Sequence, residues 1–199
     1  MNNSTTRYTK TAIILHWLIA IAILFMLGLG WYMTGLPRDG AKSDVYDLFD
    51  LGIYTWQLSE AVSPRTFYFN LHKSIGVTLL ALIAFRLYWR LTHQPPAMLS
   101  LLKAWERKLA DVAHTSLYVL MVVMPVSGFL MALYSKYGIK WFGLPFLPGL
   151  DNKAVREFFM VVHEWAGIAL GVLILLHVAA ALKHKFIDKD ETLKRMSLR

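Results

Sequence analysis

The sequence predicts an all-α membrane protein, a four-transmembrane-helix bundle with both termini on the cytoplasmic side. Three observations carry that expectation. The chain of 199 residues is 56% hydrophobic and 14% aromatic, more apolar than soluble domains of its size. Four apolar segments reach the length of about 20 residues that a helix needs to cross a bilayer. The basic residues, finally, fall between those segments, and unequally on the two sides.

The first segment covers roughly 12–33 (AIILHWLIAIAILFMLGLGWYM). Trp and Tyr crowd its far end and it lacks a small-residue cleavage site, so it reads as a retained span and not a removed signal peptide. A connector of roughly 34–68 follows, acidic and aromatic (DVYDLFDLGIYTWQLSEAVSPRTF). It is expected to rest on the membrane surface as a short helix or lid; a solvated connector is the equal alternative. The second span covers roughly 69–90. The third covers roughly 112–134 and contains Pro125, hence an expected kink. The stretch KWFGLPFLPGL from Lys140 is too short and too rich in Pro and Gly for a fifth span. The fourth span covers roughly 158–182, and the basic tail from Phe186 is expected near anionic lipid. Residues 1–199 thus form one membrane domain, with no soluble domain left over.

Loop charge sets the expected orientation. Thirteen Lys and Arg flank the N-terminus, the second connector and the tail, against eight on the other side. The positive-inside rule places the first group in the cytoplasm. The net charge of +8 therefore indicates a membrane and its lipid as partner, not nucleic acid. Cysteine is absent, which excludes disulfides, thiolate-held clusters and haem attached through C-x-x-C-H.

Polar rings inside apolar helices carry the chemistry. His163 and His177 are fourteen residues apart in HEWAGIALGVLILLH. Fourteen residues rise about 21 Å and fall within about 40° of four full turns, so the two rings share one face at opposite depths. Histidines within a membrane point inward by default. His16 matches the depth of His177, and His72 heads the second span as His163 heads the fourth. Two His–His pairs at two depths suit two stacked b-type haems, each iron held between neutral imidazoles. Zinc wants about four converging ligands, and Gly167 stands where the zinc-protease pattern needs its second histidine.

The second and fourth spans share offsets of four and fourteen: His72, Gly76 and Arg86 in one, His163, Gly167 and His177 in the other. A residue four along lies on the ligand's own face, where Gly76 and Gly167 would leave room for a flat macrocycle. Arg86 suits a haem propionate, or it snorkels to the headgroups beside Arg90. His16 and Gly30, and His114 and Gly128, repeat the interval of fourteen. His114 ranks second to His16 as a ligand; a quinone headgroup or the interface would also occupy it. His93 and His184 look solvated. A lone helix-end histidine such as His72 is most often only interfacial.

LHW in the first span, LHKSIG opening the second, VHEWAG opening the fourth and LLHVAAALKH closing it resemble the bacterial cytochrome b561 family. The resemblance covers nearly the whole chain. It implies an inner-membrane cytochrome with two non-covalent haems b exchanging electrons with the quinone pool, His16 with His177 holding the inner haem and His72 with His163 the outer one. Some members of that family are superoxide:ubiquinone oxidoreductases. Related b cytochromes anchor hydrogenases and formate dehydrogenases in the membrane. Departing from a superoxide funnel, the outer side balances eight basic against eight acidic residues, although Lys73, Lys153 and Arg156 would make a local positive patch beside the outer haem. The acidic, aromatic connector equally suits a periplasmic redox protein. A transporter relaying protons through its histidines is the third alternative, and no buried Asp or Glu lies mid-span to support it.

Overall fold

The computed structural model describes residues 7–94, 96 and 103–198. Part of the basic connector between the second and third spans, and Arg199 of the basic tail, lie outside the described residues. Four long helices dominate: α1 (Lys10–Gly35), α2 (Pro64–Thr92), α3 (Ala104–Leu133) and α4 (Lys153–Lys183). All four are long and apolar enough to cross a membrane. Each begins before its predicted apolar run, because capped and charged turns start the helix ahead of the apolar residues. Thr9 Oγ1 accepts from Ala12 N at 3.2 Å, Ser63 Oγ from Thr66 N at 3.3 Å, and Asn152 Oδ1 from Val155 N at 3.1 Å. Those side chains satisfy amides that the helix itself leaves unpaired. Pro64 sits at the start of α2, where a missing N–H costs nothing. α3 continues through Pro125.

Apolar side chains of α1 and α2 form most of the core: Ile19, Ile23, Met26 and Leu29 against Leu71, Leu79 and Ile83, with Met121 and Leu170 completing it from the other two helices. Large apolar residues also cover the outside, among them Trp31 and Leu175. A face of that kind is the surface a bilayer requires.

The connector expected to form a short helix or lid instead forms an antiparallel hairpin, β1 (Ser43–Asp47) with β2 (Thr55–Val62). The reason lies in its alternation: Tyr46, paired across the strands with Trp56, and Leu58, two residues beyond Trp56, alternate with more exposed residues, and the face of Tyr46 and Trp56 packs on Phe67 at the start of α2. Tyr46 lies flat on Phe67 at 4.3 Å and donates to Val62 O at 2.6 Å. Phe49, in the turn, packs between Phe25, Tyr32 and Tyr68. A second hairpin, β3 (Ile139–Trp141) with β4 (Leu144–Leu147), fills the segment that was too short for a span. Its base closes where the chain passes itself at Gly138 and Gly149; a β-carbon on either would overlap the backbone oxygen of Leu147 or Ser135.

At the other end the tail turns back across the bundle. Lys183 bridges Asp188 at 2.6 Å and Glu106 at 3.6 Å. His184 pairs with Asp190 at 2.7 Å, so this histidine, expected to be solvated, braces the turn. Burial raises the Asp190 carboxyl, but hydrogen bonds from Thr192 and His184 outweigh it and hold its pKa below the ordinary value. Trp17 Nε1 donates to Met196 O at 2.9 Å, which ties the tail to α1.

Arg65 fastens the opposite end of α1. Its Nη1 donates to Leu36 O at 2.7 Å, Thr34 O at 3.0 Å and Met33 O at 3.3 Å, satisfying helix-end carbonyls with a cation where the helix dipole favours one. Arg65→Ala should destabilise the protein by about 1.5–3 kcal/mol, the range for hydrogen bonds to charged groups. Thermal unfolding in detergent would measure this, and Arg65→Lys should recover part of the loss.

Candidate haem sites

Antiparallel helix pairs bring the polar residues to common levels. Across α1 and α2, a β-carbon on Gly30 would lie 3.5 Å from His72 Cε1, and one on Gly76 3.6 Å from Met26 Cε. Across α3 and α4, Gly128 faces His163 and Gly167 faces Met124 in the same way. The two pairs therefore repeat one arrangement: a glycine opposite a histidine, and one turn further in, a methionine opposite a glycine.

At one level the rings of His72 and His163 stand 6.3 Å apart at 83°. At the other, His16 and His177 stand 6.3 Å apart at 68°. Metal–imidazole bonds of about 2 Å, with about 1 Å more from nitrogen to ring centre, put two imidazoles on opposite faces of one metal about 6 Å apart. Both pairs have that separation.

Hydrogen bonding tests the fit further. His163 Nδ1 lies 2.8 Å from Met124 O, an acceptor only, so Nδ1 carries the proton and Nε2 keeps its lone pair. That is the tautomer a metal-ligating histidine adopts. Ser127, 2% exposed, sits 3.3 Å from the same nitrogen. His72 Nδ1 is buried and is one of four side-chain atoms without a partner among the described residues. Native structures rarely leave such groups unpaired.

The level of His177 is more crowded. His114 approaches His177 to 5.6 Å, closer than His16 does. Arg86 Nη2 lies 3.3 Å from His16 Nδ1 and 3.4 Å from Tyr118 Oη. A guanidinium can only donate, so this contact fixes the proton of His16 on Nε2, and an iron bond through Nε2 requires the opposite tautomer. Holding a metal through Nε2 would therefore require Arg86 to release His16. Its own Nε is buried without a partner, which suits an incoming carboxylate such as a haem propionate. The residues present fit haem b at both levels.

Of the residues singled out by sequence, His16, His72, His163, His177 and Arg86 converge as two clusters. Gly76 and Gly167 lie on the expected face, but methionine methyl groups stand over them, and the glycines that abut imidazoles are Gly30 and Gly128. Lys73 and Lys153 are engaged locally: Lys73 Nζ donates to Gly138 O at 3.4 Å, and Lys153 lies 3.9 Å from Glu157. Sequence reasoning passed over Tyr118, Met124 and Ser127. Tyr118 is four residues beyond His114 on the same helix face, the signal that could have found it; Arg86 and Arg90 both lie over its ring, at 5.6 and 5.8 Å. The carbonyl of Met124 has no side-chain signature in a sequence.

Residues 7–197 match the family model described as prokaryotic cytochrome b561. Among relatives, the chain is 34% identical to "Cytochrome b561 homolog 2" of Escherichia coli (strain K12), over 98% of this chain and 93% of that one. It is 28% identical to "Cytochrome b561 homolog 1" of the same organism, over 96% of each. A "Probable superoxide oxidase CybB" of Yersinia pestis is 30% identical over 63% of this chain and 72% of its own length.

Gly128→Ala tests the packing of the first cluster. The new β-carbon would lie 2.7 Å from His163 Cε1 and 2.9 Å from Nδ1, so the ring must leave its bond to Met124. Overpacking of this kind costs about 1–3 kcal/mol, and thermal unfolding should show it. Gly171→Ala, where a β-carbon meets open space, should be tolerated.

Proposed function

Because the chain belongs to the prokaryotic cytochrome b561 family, we propose that it is a di-haem b cytochrome carrying electrons between the periplasmic side of the inner membrane and the quinone pool. Family membership and four spanning helices make it a multi-pass membrane haem protein of electron transfer. The count of two haems, the ligand assignment and the quinone partner are the finer reading. The observation that supports it most is the pair of histidine couples, each 6.3 Å apart, set fourteen residues apart on α4.

His72 with His163 would hold one haem and His16 with His177 the other. Bound there, haem b supplies one-electron redox chemistry at its iron. The protein's part is to orient, to neutralise and to keep water out. Met124 O holds the His163 ring in the ligating tautomer, and Arg86 is placed to take a propionate. The apolar residues of α1 and α2 seal the space between the levels. With positive-inside charge as the guide, His16 and His177 lie at the cytoplasmic end and both termini are cytoplasmic. His114, beside His177 and four residues from Tyr118, is the group we assign to a quinone headgroup.

Superoxide as electron donor is a second reading, supported by the likeness to the Yersinia pestis relative. The engagement of Lys73 with a carbonyl and of Lys153 with Glu157 weakens the positive patch that would steer an anion. A periplasmic redox protein as donor is supported by the exposed, acidic β1–β2 hairpin, with Asp44 on its strand and Ile53 and Tyr54 bare at its turn.

Haem content per chain, by pyridine haemochrome on protein in mild detergent, tests the central reading. We expect two haems b in the parent and one in either His177→Ala or His163→Ala. A parent with one haem would overturn the di-haem assignment. His114→Ala should retain both haems and lose most of its reduction by quinol; loss of a haem instead would make His114 an axial ligand.

A further inference from the structure

The β3–β4 hairpin sits deeper along the bundle than a surface loop should. Ser74, 2% exposed, holds its tip: Phe142 N donates to Ser74 Oγ at 2.9 Å, and the same hydroxyl lies 3.3 Å from Lys140 O. Trp141 Nε1 donates to Thr78 Oγ1 at 3.0 Å. Ser74 and Thr78 lie two and six residues further into α2 than His72, about 3 and 9 Å along the axis.

That depth can be set against the bilayer. On α4 the run from Trp165 to Leu182 carries no charged residue; its eighteen residues rise about 27 Å, close to the thickness of the hydrocarbon core. The run begins beside His163, whose ring meets that of His72. The level of His72 and His163 is therefore the edge of the hydrocarbon, and Ser74 and Thr78 lie inside it. Thr78 also stands within the uncharged run from Ser74 to Phe85 of α2.

The hairpin is built for that position. From Gly138 to Leu150 its only charge is Lys140, whose long stem can carry the ammonium back to the headgroups. Trp141, Phe142, Leu144 and Phe146 are 41–63% exposed. Strand pairing satisfies part of the backbone. The Ser74 hydroxyl supplies partners at the turn, which irregular backbone at membrane depth demands.

We propose that the β3–β4 hairpin is a re-entrant wedge, its Trp141, Phe142, Leu144 and Phe146 side chains immersed among the acyl chains of the leaflet at the His163 end, with Ser74 and Thr78 fixing its depth. The wedge covers the flank of α2 beside His72 with lipid-facing side chains where an ordinary loop would admit water. The occupant is lipid, because the hairpin is held against a membrane helix below the hydrocarbon edge and presents apolar side chains there.

The chain has no cysteine, so single-cysteine variants label cleanly. An environment-sensitive fluorophore would be attached to Leu144→Cys in vesicles of phosphatidylethanolamine and phosphatidylglycerol. Nitroxide lipids would then report acyl contact, and iodide would report water. Leu175→Cys, on an exposed face of α4, is the reference for lipid; Ala154→Cys, in the exposed first turn of α4, is the reference for water. We expect the Leu144 probe to follow Leu175, with nitroxide quenching several-fold above iodide quenching. Ser74→Ala should raise iodide quenching towards the Ala154 value; no change there would overturn the assignment of Ser74 as the depth anchor. Iodide quenching at Leu144 in the otherwise unaltered chain would overturn the wedge, as would quenching by neither agent, the result expected of a covering protein or second copy. If Leu175 itself escaped nitroxide, the membrane placement of the helices would fall, a failure distinct from that of the hairpin.

Discussion

In fourteen residues an α-helix completes almost four turns, and this bundle is organised on that interval. His16 and Gly30, His72 and Arg86, His114 and Gly128, and His163 and His177 are each fourteen residues apart. Each helix therefore presents two polar or space-giving residues on one inward face, separated by about 21 Å of apolar side chains. The antiparallel pairing of α1 with α2 and of α3 with α4 then brings His72 opposite Gly30 and His163 opposite Gly128 at one level. His16, Arg86, His114 and His177 gather at the other. Were the interval off by two residues, the second member of each pair would rotate about 200° away from that face, and His177 and Arg86 would turn towards lipid, where polar and charged groups are costly.

The spans and the histidine levels were legible because both follow from periodicity and from where charge is missing. Helix ends were not, since Thr9, Ser63 and Asn152 extend the helices by capping in a way that hydropathy does not register. The residues of the first hairpin fit a short helix or lid and a solvated connector equally well. Its aromatic content signalled the membrane surface, but the stacking of Tyr46 on Phe67 and of Phe49 on Tyr68 decides its conformation and is long-range. The rings that converge were named from sequence. What orients them was not: a backbone carbonyl for His163 and a guanidinium for His16. Gly30 and Gly128 were visible as an echo of the interval, but only the packing shows that they, rather than Gly76 and Gly167, lie against imidazoles.

The two levels differ in readiness. His163 is held in the ligating tautomer by a carbonyl that cannot do otherwise, so the His72–His163 level is preorganised. His16 is held by Arg86 in the opposite tautomer, and that cation has a second partner available in Tyr118. A haem held by His16 and His177, as proposed, would require Arg86 to move, whereas one held by His72 and His163 would not. The two levels thus have different electrostatic surroundings despite similar ring geometry, and such surroundings would separate the potentials of haems bound at both.

The tail adds a connection that the bundle alone would lack. Trp17 receives the C-terminal segment through its indole N–H on Met196 O, and its ring lies edge-on to His16 at 5.4 Å. The segment at Met196 thus meets, through one indole, a ring beside His177. A change at Trp17 would therefore reach two places at once, the anchorage of the tail on α1 and the packing around the imidazole of His16.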